Sequence, residues 1–237
     1  MAADLLMIVP SRGRPQNAAA LLDAWGQTAT GAADLLIAVD EDDPELAGYQ
    51  ALHVLDRWRP ELGVPRWDFG ERLRLGGTLN AVATKYASDY RMLGFLGDDH
   101  RPRTSGWDRQ MVDALGELGT GMVYADDLFQ RQNLPTQIAM TSDIVRSLGY
   151  MVPGDLVHLY IDNAWAELGN GIGRLRYLPD VVIEHLHPSA SKAEMDDSYR
   201  ETNSDAQFEA DRHRFEDWKR FSLDADVAKL QELTRRG

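Results

Sequence analysis

Twelve residues from position 91 read RMLGFLGDDHRP. A short apolar run, 92–96, stops at Gly97 and sets Asp98, Asp99 and His100 side by side. Hard divalent cations take oxygen ligands, and an imidazole among them is compatible with Mn²⁺ and less natural for Mg²⁺. A polar surface turn uses the same residue types, so a turn and a metal site at a strand end both remain open. The segment VVIEHLHP supplies His185 and His187, which share a face if that segment is a strand. One more acid, Asp162 in LYIDNAWAEL, stands where a helix would begin. There it could cap the helix, as Asp does well, or take a proton from a reacting hydroxyl.

These groups matter only if a sheet brings them together. Residues 5–9 are continuously apolar and closed by Pro10, as in a parallel strand covered on both faces. QNAAALLDAWGQT predicts a helix stopped near Gly26, and 35–39 predicts a second buried strand running into an acidic turn, 40–43. LAGYQALHVLDRW predicts a helix, followed by a connection punctuated by Pro and Gly. The spacing over 78–86 predicts a helix with Leu79, Val82, Ala83 and Tyr86 on one face. MLGFL is a third strand, SGWDRQMVDALGEL a helix with Ser105 as its cap, and GMVYADD a fourth strand. PTQIAMTSDIVRSLGY passes from an extended piece into a helix, and RYLPDVVIEHLHP is the closing strand.

The expected class is therefore α/β, with a mostly parallel central sheet flanked by helices over 1–190. A polar, helix-prone flap and extension follow over 191–237. Phe215, Trp218 and Phe221 recur there at helical spacing, which predicts packing onto the main domain or onto a second copy in a homo-oligomer. In open α/β sheets ligands bind beyond the carboxyl ends of the strands. Polar clusters follow each apolar run: 11–14, 40–43, 98–100, Asp126 with Asp127, and His185 with His187. A surface turn explains any one of them; the joint pattern argues for a shared edge.

Composition narrows the classes. The 237 residues carry a formal net charge of −13, which opposes the phosphate contacts that supply most duplex nucleic-acid affinity. There are no cysteines, which removes thiol chemistry and cysteine-ligated zinc and fits a reducing compartment. No apolar run approaches the about 18–20 residues that span a bilayer, and no secretory leader pattern opens the chain. A cytoplasmic location is expected.

In order, MIVPSRGRP, AVDEDDP, GGTLNAVATKYASDYRMLGFLGDDHRP, HLYIDNAWAELG and VVIEHLHP resemble the GT-A fold glycosyltransferases over roughly residues 5–200. The likeness is to the inverting, family-two-like branch, and especially to small enzymes of actinobacterial phages. The resemblance implies a metal-dependent transfer of a sugar from a nucleoside diphosphate donor, a UDP-sugar above all, to an acceptor hydroxyl with inversion. The acceptor would be a protein such as a virion component, a glycan, or a modified nucleobase.

It implies site residues as well. The family's D-x-D motif falls at 97–99, so Asp99 is the implied metal ligand for Mn²⁺ (or Mg²⁺), Asp98 the next candidate, and Gly97 a departure where an acid is common. His187 or His185 would complete the metal shell. Pro10, Ser11, Arg12 and Arg14 would line the nucleotide, and Asp40 would accept the uracil imide N–H. Gly77, Asn80 and Arg74 would meet the donor, and Lys192 would reach the diphosphate from the flap. Asp162 would be the base, with Trp165 a turn later as a sugar platform. Two alternatives are a non-catalytic nucleotide-sugar binder or assembly protein, favoured by Gly97, and a nucleotidyltransferase. The second lacks its glycine-rich signature and lysine in SRGRPQN.

Overall fold

A computed structural model describes residues 3–54, 65–188, 192, 197–202 and 204–236. Eight strands form one sheet in the order β3-β2-β1-β4-β7-β6-β8-β5. They are β1 (Leu5–Ser11), β2 (Ala33–Asp40), β3 (Arg66–Gly70), β4 (Met92–Phe95), β5 (His100–Pro102), β6 (Met122–Asp126), β7 (Ile138–Thr141) and β8 (Leu175–His185). Only β7 and β5 run against the others. The carboxyl ends of β1, β2, β4, β6 and β8 therefore point the same way, as a shared ligand edge requires.

The helices explain the apolar patterns. On one face, α1 (Pro15–Thr28) and α4 (Trp107–Leu118) cover Leu5, Met7 and Val9 with Leu21, Trp25, Trp107 and Met111. On the other, α3 (Arg74–Tyr86), α5 (Ser142–Leu148) and α6 (Ile161–Gly171) cover Leu6, Ile8 and Leu93 with Leu79, Val82, Ile144 and Trp165. A strand buried on both faces has no polar face to alternate with, so β1 reads as a continuous hydrophobic run. The remaining helices are α2 (Leu46–Val54), α7 (Asp197–Thr202), α8 (Asp205–Phe221) and α9 (Leu223–Arg236). Trp218 of α8 and Leu230 of α9 are buried in the second of these cores, whereas Phe221 is 70% exposed. No helix among the described residues is long and apolar enough to cross a membrane.

Several expectations are corrected. The Pro- and Gly-punctuated connection contains β3, an edge strand whose Trp67 and Phe69 stack on one face against His53. The helix expected from Thr78 starts at Arg74. Ser105 does not cap α4; Gly106 takes the capping position in the left-handed region (φ 71°), which suits glycine. The last part of the helix expected over LAGYQALHVLDRW, from residue 55, lies outside the described residues.

Candidate functional site

A cleft of about 290 Å³ opens at the carboxyl edge of the sheet, close to the size at which small-molecule sites begin. Ser11 at the end of β1, Asp40 at the end of β2, the 97–100 turn after β4 and His185 at the end of β8 all line it. Asp126 and Asp127 do not. Asp127 is buried and accepts from the backbone N–H of Phe129 and Arg131 and from Thr136, so it builds the β6–β7 connection. At that strand end the plain turn is what the structure shows.

The 97–100 turn is built around a steric constraint. The backbone N–H of Gly97 donates to His100 Nδ1 at 2.8 Å. A Cβ on residue 97 would stand 2.5 Å from Asp99 Oδ1 and 2.8 Å from His100 Nδ1. The departure from an acid at this position therefore has a local cause: Asp99 and His100 fold back over it. Restoring the acid is expected to damage the site. Gly97→Asp should weaken Mn²⁺ binding at least tenfold and lower thermal stability by about 1–3 kcal/mol, the usual cost of overpacking. Thermal melts and a metal titration check this; unchanged binding would contradict it.

His100 owes its place to β5, three residues long and paired antiparallel to β8 with His100 opposite His185. That register stacks the two imidazoles, centroids 4.3 Å apart. Asp99, His100 and His185 each offer a ligand atom, all within 4.8 Å of one another. Asp99 Oδ2 lies 3.4 Å from His185 Nε2. Two ligands of one small cation, with bonds of about 2.1 Å meeting near 100°, lie about 3.2 Å apart. Burial would raise the Asp99 carboxyl, but the hydrogen bond and charge of His185, with His100 and Tyr199, outweigh it and pull its pKa down. Burial beside His185 lowers His100 to about 3, so it is a neutral imidazole at physiological pH. The buried His100 Nε2 and His185 Nδ1 have no hydrogen-bond partner. An ionised carboxylate, neutral imidazole nitrogen and orphaned ring atoms make a donor set that fits a divalent cation such as Mn²⁺. His187 also lines the cleft, stacked on Phe129 and edge-on to Tyr199.

The first-strand turn is held by a buried chain of hydrogen bonds. The backbone N–H of Arg14 donates to Tyr49 Oη (2.8 Å), Tyr49 pairs with Ser11 Oγ (2.7 Å), and Ser11 donates to Asp98 Oδ2 (2.6 Å). Arg14 Nη1 lies 3.6 Å from Asp98 Oδ1. Burial next to Asp99 lifts the Asp98 carboxyl to about 7. Asp98 thus ties the end of β1 to the end of β4. Arg12 is paired with Asp40 (2.9 Å) and Asp42 (2.5 Å), and Arg72 Nε stands 3.7 Å from Asp40. Burial raises the Asp40 pKa, with Arg12 opposing it. Pro10, Arg12, Arg14, Arg72 and Arg74 all line the cleft. Four guanidinium groups gather there beside the carboxylates of Asp40, Asp98, Asp99 and Asp162, so the cleft is lined by both signs of charge although the chain as a whole is strongly acidic.

The stretch 157–162 also lines the cleft. Tyr160, in the left-handed region (φ 63°), precedes α6, and Asp162 is the second residue of that helix. Its Oδ1 accepts from the N–H of Asn163, 2.9 Å away, so it does not act as the N-cap. Burial raises the Asp162 carboxyl to about 6 and lowers His158 to about 4. Non-glycine residues at positive φ are costly and gather at functional sites; Arg74 and Tyr160 are both of this kind and both line the cleft.

Other expected residues sit elsewhere. Gly77 is absent from the cleft wall, where Thr78 stands. Asn80 binds the 151–152 backbone through both ends of its amide, at 2.8–2.9 Å. Lys192 Nζ is 2.9 Å from Glu184 Oε1. Trp165 is buried, its indole N–H donating to Met151 O, and it forms floor rather than an open platform. Among the cleft residues without a sequence signal are Arg72, His158, Gln207 and Tyr199. The buried Tyr199 hydroxyl donates to Asp99 Oδ2, while the Arg14 guanidinium lies 4.1 Å over its ring.

No protein-family model matches the sequence, and no curated protein matches it. Solved structures do. The mannosyltransferase PcManGT from Pyrobaculum calidifontis, solved with GDP-Man and Mn²⁺, superposes with TM-score 0.60 at 13% identity, over 97% of this chain and 73% of that one. TarS 1-349 from S. aureus, in complex with UDP, gives 0.57 at 11% identity, over 76% and 59%. Rv0371C from Mycobacterium tuberculosis H37Rv, in complex with manganese, gives 0.52 at 14% identity, over 85% and 98%. The match spans about 59% of the length of TarS 1-349. Identities this low establish the fold: a mostly parallel central sheet flanked by helices, shared with GT-A glycosyltransferases.

Proposed function

We propose that this chain transfers a sugar from a nucleoside diphosphate donor, a UDP-sugar, to an acceptor hydroxyl with inversion, using a divalent cation held by Asp99 and His185. The observation that carries the reading is the Asp99–His185 pair, 3.4 Å apart in a cleft that Arg12, Arg14, Arg72, Arg74 and Asp162 also line. Solved neighbours of the same fold bind UDP, GDP-Man and manganese, which supports the donor class and the metal. His100 belongs to the cluster: its Nδ1 accepts from Gly97, which leaves the buried Nε2 without a partner as its donor atom, and His187 stands beside His185.

The cation, when bound, offsets charge developing on the leaving diphosphate. The chain's own residues do the rest. Arg12, Arg14, Arg72 and Arg74 orient the diphosphate, and Asp40 with Arg12 faces the base. Asp162 accepts the acceptor O–H proton as the new C–O bond forms and the anomeric carbon–diphosphate bond breaks. A carboxyl near 6 is ionised at neutral pH yet more basic than an exposed Asp, as a general base needs. The non-catalytic alternative drew its support from Gly97; the close approach of Asp99 and His100 gives that glycine a local cause instead.

The test is release of UDP from UDP-sugars, dependent on Mn²⁺, with the product anomer assigned. An inverted product supports the reading, and a retained configuration would remove the role given to Asp162.

Tyr199 supplies a sharper check on the metal. Its phenol occupies Asp99 Oδ2, the oxygen that faces His185. A cation bound through that oxygen competes with the phenol for its electron density. Tyr199→Phe should bind Mn²⁺ about three- to tenfold more tightly, the scale of one hydrogen bond to a charged group. Weaker binding in that variant would instead make the phenol a ligand.

A further inference from the structure

Asp211 lies in the middle of α8, where it can cap nothing of its own helix, and it is fully buried. Its carboxylate is spent on another part of the molecule. Oδ1 accepts from the N–H of Val157 at 3.1 Å, and Oδ2 from those of His158 at 3.0 Å and Leu159 at 2.9 Å. Gln207 Nε2 and Arg214 Nη1 complete it at 2.8 and 2.9 Å. Successive backbone N–H groups turned to one point form a cradle for an anion, and here the chain fills it with its own carboxylate.

The cradle is the stretch 157–159, which lines the cleft and leads within three residues to Asp162. The loop is tied from the opposite side as well: the N–H of Gly76 donates to Val157 O at 3.0 Å, where a Cβ on residue 76 would come 1.9 Å from Leu156 O. Between cradle and base lie only Ile161 and Tyr160, the latter with a strained backbone that must be held by its surroundings and a ring that stacks on Phe215 of α8. Any shift of the stretch 157–159 therefore passes directly into the first turn of α6.

We propose that Asp211 is a positioning residue for the acceptor side of the site: from the C-terminal helix it fixes the 157–159 backbone and so aims Asp162 at the acceptor hydroxyl. The inference rests on Asp162 being the base. It makes α8 part of the catalytic apparatus, acting through another residue and touching no substrate. Displacement of a reacting group by about 1 Å can cost on the order of 10²-fold in rate.

The experiment compares wild type, Asp211→Asn and Arg214→Ala in transfer kinetics, calorimetry of UDP with Mn²⁺, and amide exchange at 157–159. Asp211→Asn should lower kcat by about 10- to 100-fold, leave nucleotide affinity within about twofold, and speed exchange at those three amides. Arg214→Ala removes only the outer partner and should keep kcat within about twofold. In an Asp162→Asn background, Asp211→Asn should cost nothing further, because residues acting through one another are not additive. A kcat within about twofold of wild type in Asp211→Asn would overturn the proposal, as would equal losses of kcat and nucleotide affinity. If Asp211→Asn does not fold, Asp211→Glu carries the test; it keeps the charge but shifts the cradle, and a wild-type kcat there overturns the proposal equally. If Asp162→Asn alone keeps its rate, the base assignment falls and this inference with it; full loss in Asp162→Asn with none in Asp211→Asn removes this inference alone.

Discussion

Asp162→Asn is expected to lose transfer by about 10²- to 10⁴-fold in kcat while binding UDP with Mn²⁺ as wild type does. The substitution keeps the shape of the side chain and its place in the first turn of α6, and removes only the capacity to take a proton. Binding should survive because Asp162 accepts from the N–H of Asn163, and the proposed hold on cation and diphosphate rests on Asp99, His185 and the arginines instead. The pH profile should carry the same signature. Burial raises this carboxyl to about 6, and only its ionised form is a base. Below that pH the wild-type kcat/KM should fall about tenfold per unit, and above it level off. His158, lowered to about 4 by burial, stays neutral across that limb and does not produce it. In Asp162→Asn the residual rate should lose the acid limb. A variant that transfers within about tenfold of wild type, or keeps the limb, would refute the assignment.

Asp99→Ala should weaken Mn²⁺ binding by at least about a hundredfold and abolish metal-dependent nucleotide binding. Alanine leaves His185 facing a gap and frees Tyr199 from its acceptor, so neither a chelating pair nor a charge remains. Asp98 does not substitute for it. Its oxygens are already engaged by Ser11 and Arg14, and its burial beside Asp99 favours the protonated form. Asp98→Asn should accordingly be far milder for the metal than Asp99→Ala. Equal losses would mean that the two acids form one ligand set.

Sheet and edge were legible in the sequence where burial leaves a strong pattern. The runs in β1, β2 and β4 are continuous because both faces are covered, and each ends in a polar group at the carboxyl edge. Arg12, Arg14, Asp40, Asp99 and His185 followed from that reasoning, and all line one cleft together with Asp162, which was read as an acid at a helix start. What escaped depends on register and long-range contacts. β5 has only three residues and exists because it pairs with β8, eighty positions away in the chain, so the stacking of His100 on His185 had no local signal. β3 is a short edge strand with two aromatic residues on one face, too brief to mark a period. Asn80 has the composition of a donor contact, but its amide is used up on the 151–152 backbone. Tyr199 and Asp211 lie in a polar segment whose residues gain meaning only when α7 and α8 fold back over the cleft.

The reason for Gly97 was likewise invisible. In sequence it reads as a lost acid; in the structure it is the one residue small enough to let Asp99 and His100 close over their own turn. The same economy appears at Gly76, where α3 touches the 152–157 loop through backbone. Both glycines bring chain segments into contact beside the cleft, and neither is needed for a positive φ.

The central claim is that Asp99 and His185 hold a cation on which nucleoside diphosphate binding depends. Calorimetric titration of UDP, GDP, dTDP and CDP, each with Mn²⁺ and again with EDTA, on wild type and Asp99→Ala, tests it most directly. The account predicts that UDP binds with Mn²⁺, that EDTA removes the binding, and that Asp99→Ala does not bind. UDP binding that ignores both EDTA and the substitution, or no nucleotide binding at all, would contradict it.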